Sequence, residues 1–446
     1  MNADPSARFA ELRAGHPELV YESFAIAEGA DAVEFTFTFA LANGPTFRPT
    51  LRLPRRPDFV VERELLENLA FHIGLVEAIS YWKAACPPVV RIRAGSLDAG
   101  QQGWWENLWR HGLGEFFYRN GLAPGADFVR FATEGPARRA WPCAVEDRNL
   151  IPIGGGKDSL VTLGLLEPFH EKNLCFLLNR SRAQEESARL FGYGPERTVV
   201  ARRTIDPALL ELNRQGYWNG HTPFSALLGF TAVAAAVLQG ASRVVLSNES
   251  SASEPTVPGT EVNHQYSKSW AFEQAFSSYV AEHLTPSVAY FSLLRPWNEL
   301  RIARRFAADG RGLAVFRSCN VGARDDRWCG ACPKCLFVDI LLAPFVPRGK
   351  RVAVFGIPPL ERPELRPLLD ELAGIAPVKP FECVGTVEEV RAALTLAANR
   401  PDRPELARYF AESHPGLRVT SERIEALLGE FGADHHVPVE FVAVLR

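Results

Sequence analysis

The chain predicts an α/β protein: a doubly wound parallel sheet, an α+β region ahead of it, and a small α/β or helical unit behind it. Three observations carry that reading. From Leu150 onward, short apolar runs alternate with longer segments of helical apolar spacing, the pattern of strands joined by crossover helices. The run Leu150 to Ile153 ends directly in Gly154, Gly155 and Gly156, a turn suited to joining a buried strand to a helix. Ahead of it, Val33, Phe35, Phe37 and Phe39 alternate with Glu34, Thr36 and Thr38, the period of two of a half-buried strand. The expected boundaries are 1–145 for the α+β domain, 146–345 for the parallel-sheet domain and 346–446 for the last unit.

Taken in order, the strand around Val33 to Phe39 should turn at Ala42-Asn43-Gly44-Pro45 into a second extended piece. Glu62 to Lys83 places Leu65, Leu66, Leu69, Ile73, Val76 and Ile79 at helical spacing and stops before Pro87-Pro88. Trp104, Trp105, Leu108, Trp109 and Phe116 line another helix, and such an aromatic stripe reads as core. Gly135 to Pro142, with its arginines and prolines, is the expected linker. Beyond it come a strand at Leu150 to Ile153, a helix opening at Ser159, strands at Leu174 to Leu178 and Arg243 to Leu246, and a buried helix at Ala226 to Leu238. After Pro347 a strand is expected at Arg351 to Phe355, then helices at Glu364 to Leu372, Val387 to Ala398 and Ser421 to Phe431.

Composition narrows the class of protein. The 446 residues are 47% hydrophobic and 23% charged, ordinary values for a globular chain able to bury two or three cores. A net charge of −3 argues against nucleic acid as a partner held by bulk electrostatics. Met1 to Glu18 mixes charge and proline without an apolar core, so no export signal is expected. Ala226 to Leu238 is too short to insert in a bilayer. Eight cysteines without an export signal point to a reducing cytoplasm, where thiols bind metal, pack or react.

The segment Ile151 to Ser159, I-P-I-G-G-G-K-D-S, restricts the chemistry most. Gly154, Gly155 and Gly156 let backbone amides approach phosphate oxygens, Lys157 adds a countercharge, and the helix that follows favours an anion at its N-terminus. A Walker loop requires a different spacing and a hydroxyl residue after its lysine, and the dinucleotide fingerprint also fails. The pattern is similar to the S-G-G-x-D-S signature of the PP-loop ATP pyrophosphatases, with Gly154 in place of the first serine. That resemblance implies a PP-loop sheet of the adenine nucleotide alpha hydrolase-like type, and ATP split to AMP and pyrophosphate while a substrate is adenylated.

Two further clusters stand out. Cys319, Cys329, Cys332 and Cys335, spaced C-x9-C-x2-C-x2-C with Gly330 and Pro333 as turn-formers, suit a closed tetrahedral site, hence structural zinc, with an iron–sulfur cluster as the alternative. Cys86, Cys143, Cys175 and Cys383 read as packing residues. Ser247-Asn248-Glu249-Ser250-Ser251 follows a strand end, where α/β sheets place ligands. Asn263 to Ser269, N-H-Q-Y-S-K-S, concentrates titratable groups: His264 for proton exchange near neutrality, Lys268 for a phosphate or carboxylate, Tyr266 as a donor. Glu249, His264, Tyr266 and Lys268 are therefore the candidates for the chemical step, beside Lys157 and Asp158.

Together these segments resemble one family. L-I-P-I-G-G-G-K-D-S-L-V-T-L-G-L-L at Leu150 to Leu166, S-N-E-S-S-A-S at Ser247 to Ser253, the N-H-Q-Y-S-K-S stretch, R-P-W-N-E-L at Arg295 to Leu300, W-C-G-A-C-P-K-C at Trp328 to Cys335 and K-P-F-E-C-V-G at Lys379 to Gly385 are similar to the ATP-dependent UDP-N-acetylmuramoyl-L-alanyl-L-glutamate epimerases of peptidoglycan synthesis. Met1 to Val145 carries the resemblance less specifically. It implies inversion of the terminal L-glutamate of UDP-MurNAc-L-Ala-L-Glu to D-glutamate through an adenylated carboxylate. Gly154 to Gly156 and Ser159 would then hold the ATP phosphates, Lys157 would balance charge developing on pyrophosphate, and Asp158 would orient the loop or coordinate magnesium. A PP-loop enzyme acting on a base precursor, such as 7-cyano-7-deazaguanine synthase, shares the loop and a late cysteine cluster, but not the N-terminal region or N-H-Q-Y-S-K-S. A non-catalytic nucleotide-binding protein would keep the loop and release no pyrophosphate.

Overall fold

The computed structural model describes residues 4–125 and 127–446; the first three residues of the stretch read for an export signal lie outside the described residues. Eleven strands are described: β1 Glu18–Glu28, β2 Ala32–Leu41, β3 Thr46–Phe47, β4 Thr50–Pro54, β5 Val89–Ile92, β6 Arg130–Thr133, β7 Glu146–Pro152, β8 Asn173–Leu178, β9 Thr198–Arg203, β10 Ala241–Leu246 and β11 Ala289–Ser292. Helices fill most of the intervals, and the sheet is mixed, so the chain is of the α/β class. Two compact units share these elements: residues 1–150, 199–244 and 274–290 in one, residues 151–198, 245–273 and 291–446 in the other.

In the first unit the strand order is β9-β4-β2-β1-β5-β6, with β3 also on β2. The pairings of β2 with β1, β3 and β4, and of β4 with β9, are antiparallel, whereas β5 is parallel to β1 and to β6, and β10 to β7. The alternation read around Phe35 is real: Val33, Phe35, Phe37 and Phe39 are at most 1% exposed. Helix Arg63–Trp82 has no side-chain cap, yet nearly every residue from Leu65 is buried, so packing rather than capping holds it. It lies so close to β1 that a Cβ on Gly74 would fall 2.0 Å from the Tyr21 hydroxyl. Trp105 and Trp109, on helix Ala99–Gly112, are core residues as their stripe suggests.

In the second unit, β8 lies beside the C-terminal end of β7, followed by the ends of β10 and β11. Ile153 N–H donates to Phe176 O at 2.9 Å, and Leu293 N–H to Leu246 O at 2.9 Å. Because β7 and β10 are parallel, the glycine loop after β7 and the Ser247–Ser251 segment after β10 leave the same edge of the sheet. The glycine loop opens helix Lys157–Leu165.

One local expectation fails. Arg351 to Phe355 is no strand but the second half of helix Arg348–Phe355, entered from Pro347. Its Arg-Val-Ala-Val-Phe pattern suggests a period of two, but the decisive contact is polar: buried Arg351 donates to buried Asp339 at 2.8 Å. The other three segments expected after Pro347 are helical, and the described residues beyond β11 contain no strand.

Candidate active site

The three glycines differ in what they do. Only Gly155 has a positive φ, +80°, and a Cβ there would lie 3.1 Å from the backbone of Ala183 and Gln184. Gly154 N–H donates to Ser159 Oγ at 3.2 Å, which closes the loop onto the first helical turn. Gly156 occupies the N-cap position and caps with no side chain, leaving the first amides of helix Lys157–Leu165 to face an anion. Arg317 N–H donates to Gly155 O at 2.8 Å and pins the loop from the far side.

Lys157 does not project into solvent. Its side chain is 3% exposed, donating to Asp158 Oδ1 at 2.5 Å and to the equally buried Glu299. Burial alone would lower its pKa, but the carboxylates of Asp158, Glu299 and Glu249 overcome that and raise it, so it is held as a cation. Asp158 shifts down: burial opposes the shift, and Lys157, Lys334 and Lys268 outweigh it. Glu249 and Glu299 move up through burial and the nearby Asp158 charge, Glu299 to about 7. Three carboxyls and three lysines thus form one electrostatic group in which Asp158 carries the settled negative charge and Glu299 titrates near neutrality.

Arg295 organises the two flanking loops. It is 1% exposed, binds Glu273 through Nε at 3.1 Å and Nη2 at 2.6 Å, and donates to the backbone oxygens of Glu249 and Lys268. A second anchor is Glu389, whose carboxylate accepts from Ser251 Oγ at 2.5 Å, Glu299 N–H at 2.8 Å and Thr386 N–H at 2.6 Å. Lys379 reaches Glu254 at 2.6 Å, which ties the Lys379–Gly385 segment to the loop after β10.

Of the residues singled out in Asn263 to Ser269, Lys268 and His264 converge on Cys383. Lys268 Nζ donates to Cys383 Sγ at 3.3 Å, His264 hydrogen-bonds the same thiol, and Lys334 donates to the Cys383 carbonyl. Burial would raise that thiol, but Lys268, His264 and Lys334 bring it down to about 5. Cys383 is therefore no plain packing residue. Tyr266 turns its ring to Phe272, with centroids 6.0 Å apart. Arg295, Glu299, Lys334 and Cys383 all sit in segments the sequence marks as distinctive, but local spacing carries no sign of their roles because the partners are distant in the chain, 115 residues apart for Lys268 and Cys383.

The cysteine cluster converges as its spacing suggests. The ligand atoms of Cys319, Cys329, Cys332 and Cys335 lie within 4.8 Å of one another. Sγ separations are 3.8 Å for Cys319 and Cys332, 3.7 Å for Cys329 and Cys335, and 3.5 Å for Cys332 and Cys335. A tetrahedron with metal–sulfur bonds of about 2.3 Å has edges of about 3.8 Å, so a single zinc-sized ion fits. A multi-iron cluster, which distributes its thiolates over separate irons, would need a wider set.

Comparison with known proteins identifies the family. A family model described as the MurL N-terminal domain matches residues 11–293, and one described as the MurL C-terminal domain matches residues 315–417. A protein of Xanthomonas oryzae pv. oryzae named UDP-N-acetyl-alpha-D-muramoyl-L-alanyl-L-glutamate epimerase is 39% identical over 90% of this chain and 91% of its own. Proteins of the same name from a Micromonospora species and from Salinispora tropica are 36% and 38% identical, over 89% and 78% of this chain and 90% and 77% of their own. No solved structure matches the chain. With both family models and relatives along nearly its whole length, the chain belongs to the UDP-N-acetyl-alpha-D-muramoyl-L-alanyl-L-glutamate epimerase family.

Proposed function

We propose that the protein inverts the terminal L-glutamate of UDP-MurNAc-L-Ala-L-Glu to D-glutamate in the cytoplasm, for peptidoglycan synthesis, by adenylating the glutamate α-carboxylate with ATP. Family membership supports the epimerisation. The observation that carries the ATP step is the Gly155 turn opening a helix without a side-chain cap beside the buried Lys157, a cradle suited to pyrophosphate in a domain of PP-loop type.

The chemistry follows from charge. Removing the α-proton beside an ionised carboxylate would put a second negative charge next to the first. Attack of that carboxylate on the α-phosphorus of ATP expels pyrophosphate and gives a mixed anhydride, whose carbonyl accepts the α-electrons as an enolate. Proton removal on one face and return on the other invert the carbon, and water then cleaves the anhydride to D-glutamate and AMP. The backbone of Gly154 to Gly156 and the amides of Lys157 to Ser159 bind the departing pyrophosphate, and Lys157, held cationic by Asp158 and Glu299, balances its charge. Asp158 would hold magnesium, which when bound would neutralise the phosphates. Cys319, Cys329, Cys332 and Cys335 would hold zinc, which when bound would serve a structural role.

The test is incubation of the protein with ATP and this dipeptide nucleotide in heavy water. AMP, pyrophosphate and a D-glutamyl product carrying α-deuterium are expected, all requiring ATP. Inversion without ATP would refute the activated-ester route, and equal pyrophosphate release with unrelated acids would remove the substrate assignment.

A further inference from the structure

We infer that Cys383 is the group that takes the α-proton from, or returns it to, one face of the activated glutamate. The inference rests on the epimerisation proposed above. A residue with this task needs a deprotonated, polarisable atom whose charge is held by the same cations that serve the adenylation machinery. Cys383 Sγ meets those needs. Lys268 Nζ lies 3.3 Å from it, His264 hydrogen-bonds it, and Lys334 fixes the Cys383 backbone carbonyl. Lys268 and Lys334 also act on Asp158, so the thiol and the glycine loop share one set of cations. The acidic neighbour is Glu382, whose own pKa is raised, first by burial and then by Cys383, so it offsets little of the positive surroundings. The thiol is consequently a thiolate at neutral pH, with its pKa brought down to about 5 chiefly by Lys268 and His264 against the cost of burial.

The step balances without a redox partner. The thiolate pair forms S–H, the Cα–H bond breaks, and its electrons pass to the acyl oxygen of the anhydride as an enolate. Reprotonation from the opposite face by a solvent-derived proton gives the D centre, and the Cys383 thiol then releases its own proton to solvent, which restores the thiolate; in the reverse direction Cys383 returns the proton as a thiol. Lys268 and His264 act through the sulfur as positioning residues.

Cys383→Ser in the full chain separates the steps. Pyrophosphate release with ATP and the dipeptide nucleotide should stay within about threefold of wild type, while inversion and α-deuterium incorporation fall by at least about 100-fold, the usual contribution of a positioned base. Inversion at the wild-type rate would overturn the assignment, and so would equal loss of pyrophosphate release and inversion. A second measurement needs no variant. Iodoacetamide labelling of wild-type protein, read by peptide mass, should modify Cys383 at a rate already level by about pH 7, and inversion should be lost before pyrophosphate release. Labelling that rises only above about pH 8.5, as for an ordinary thiol, would overturn it. Absence of pyrophosphate release from the wild type with this substrate would instead strike the functional reading, and the labelling profile would still test the thiolate.

Discussion

At the scale of single residues, the candidate site is a problem of buried charge, and magnitudes decide what its variants do. Arg295 and Glu273 are each 1% exposed and paired through two guanidinium nitrogens. Removing one partner of such a pair strands the other, so Arg295→Met should cost about 3–5 kcal/mol in urea unfolding. Adding Glu273→Gln should recover part of that loss, since no lone charge then remains. A double variant less stable than Arg295→Met would contradict this view of the pair. Glu299 sets a pH dependence. Its folded pKa, raised to about 7 mainly by burial, exceeds the ordinary 4.5, so the folded form holds a proton the unfolded form has released. Its contribution to stability is present below about pH 4.5 and is lost as pH rises to about 7. Glu299→Gln cannot titrate, so the stability difference between variant and wild type should shift in the variant's favour across that window. A pH-independent difference would show that Glu299 does not titrate there. Lys157, equally buried, also couples function to stability: Lys157→Ala strands Asp158 and Glu299, so lost pyrophosphate release must be read beside an unfolding curve.

At the scale of elements, the loop and the cysteine cluster make separable predictions. Gly155 is left-handed and crowded by the backbone of Ala183 and Gln184, whereas a Cβ on Gly154 would meet nothing nearer than Ser159 Oγ at 3.9 Å. Gly155→Ala should therefore cost at least about 1–2 kcal/mol and lower ATP-dependent pyrophosphate release, while Gly154→Ala should unfold within about 0.5 kcal/mol of wild type. Equal stability of the two variants would mean that the turn is not held left-handed. Protein purified without chelator should carry one zinc per chain, and Cys329→Ser should lower thermal stability before it alters turnover, because metal binding at such sites is coupled to folding. Metal analysis finding neither zinc nor iron would remove the site. These two elements were legible because their signals are local: three consecutive glycines, and four cysteines within seventeen residues. Helix Arg63–Trp82, helix Phe224–Gln239 and β2 were legible for the same reason, each carrying its periodicity within itself. β1 carries no such signal, because a register shift between Tyr21 and Ser23 breaks its alternation and its second half is mostly exposed. The helix at Arg351 departs from its local pattern of two because an ion pair to Asp339, twelve residues back, outweighs that pattern. The active-site partners were least legible of all: Glu299 lies 142 residues from Lys157, and Glu389 138 from Ser251, separations over which spacing carries no information.

At the scale of the whole molecule, the path of the chain limits how the protein can be divided. The backbone passes between the two units at 150/151, 198/199, 244/245, 273/274 and 290/291, so neither unit is a continuous segment. The first 150 residues make most of the first unit's sheet but depend on later segments of that unit for their cover. Glu77 is 3% exposed and is neutralised by Arg203, which binds both its oxygens at 2.7 Å. The ring of His72, on the same helix, stacks over Phe230 with centroids 6.4 Å apart, and β4 pairs with β9. Cutting the chain after Leu150 removes Arg203, Phe230 and β9 together. It leaves a buried carboxyl without its cation, an apolar helix face without its partner and a sheet edge unpaired, and burying a lone charge already costs several kcal/mol against a total stability of about 5–15 kcal/mol. Residues 1–150 expressed alone should therefore bind a hydrophobic dye and unfold over a broad range of denaturant, whereas the full chain gives sigmoidal transitions. A sharp transition in the fragment, with its dye binding no higher than that of the full chain, would show that the first segment closes its own core and that Arg203 is not needed to neutralise Glu77.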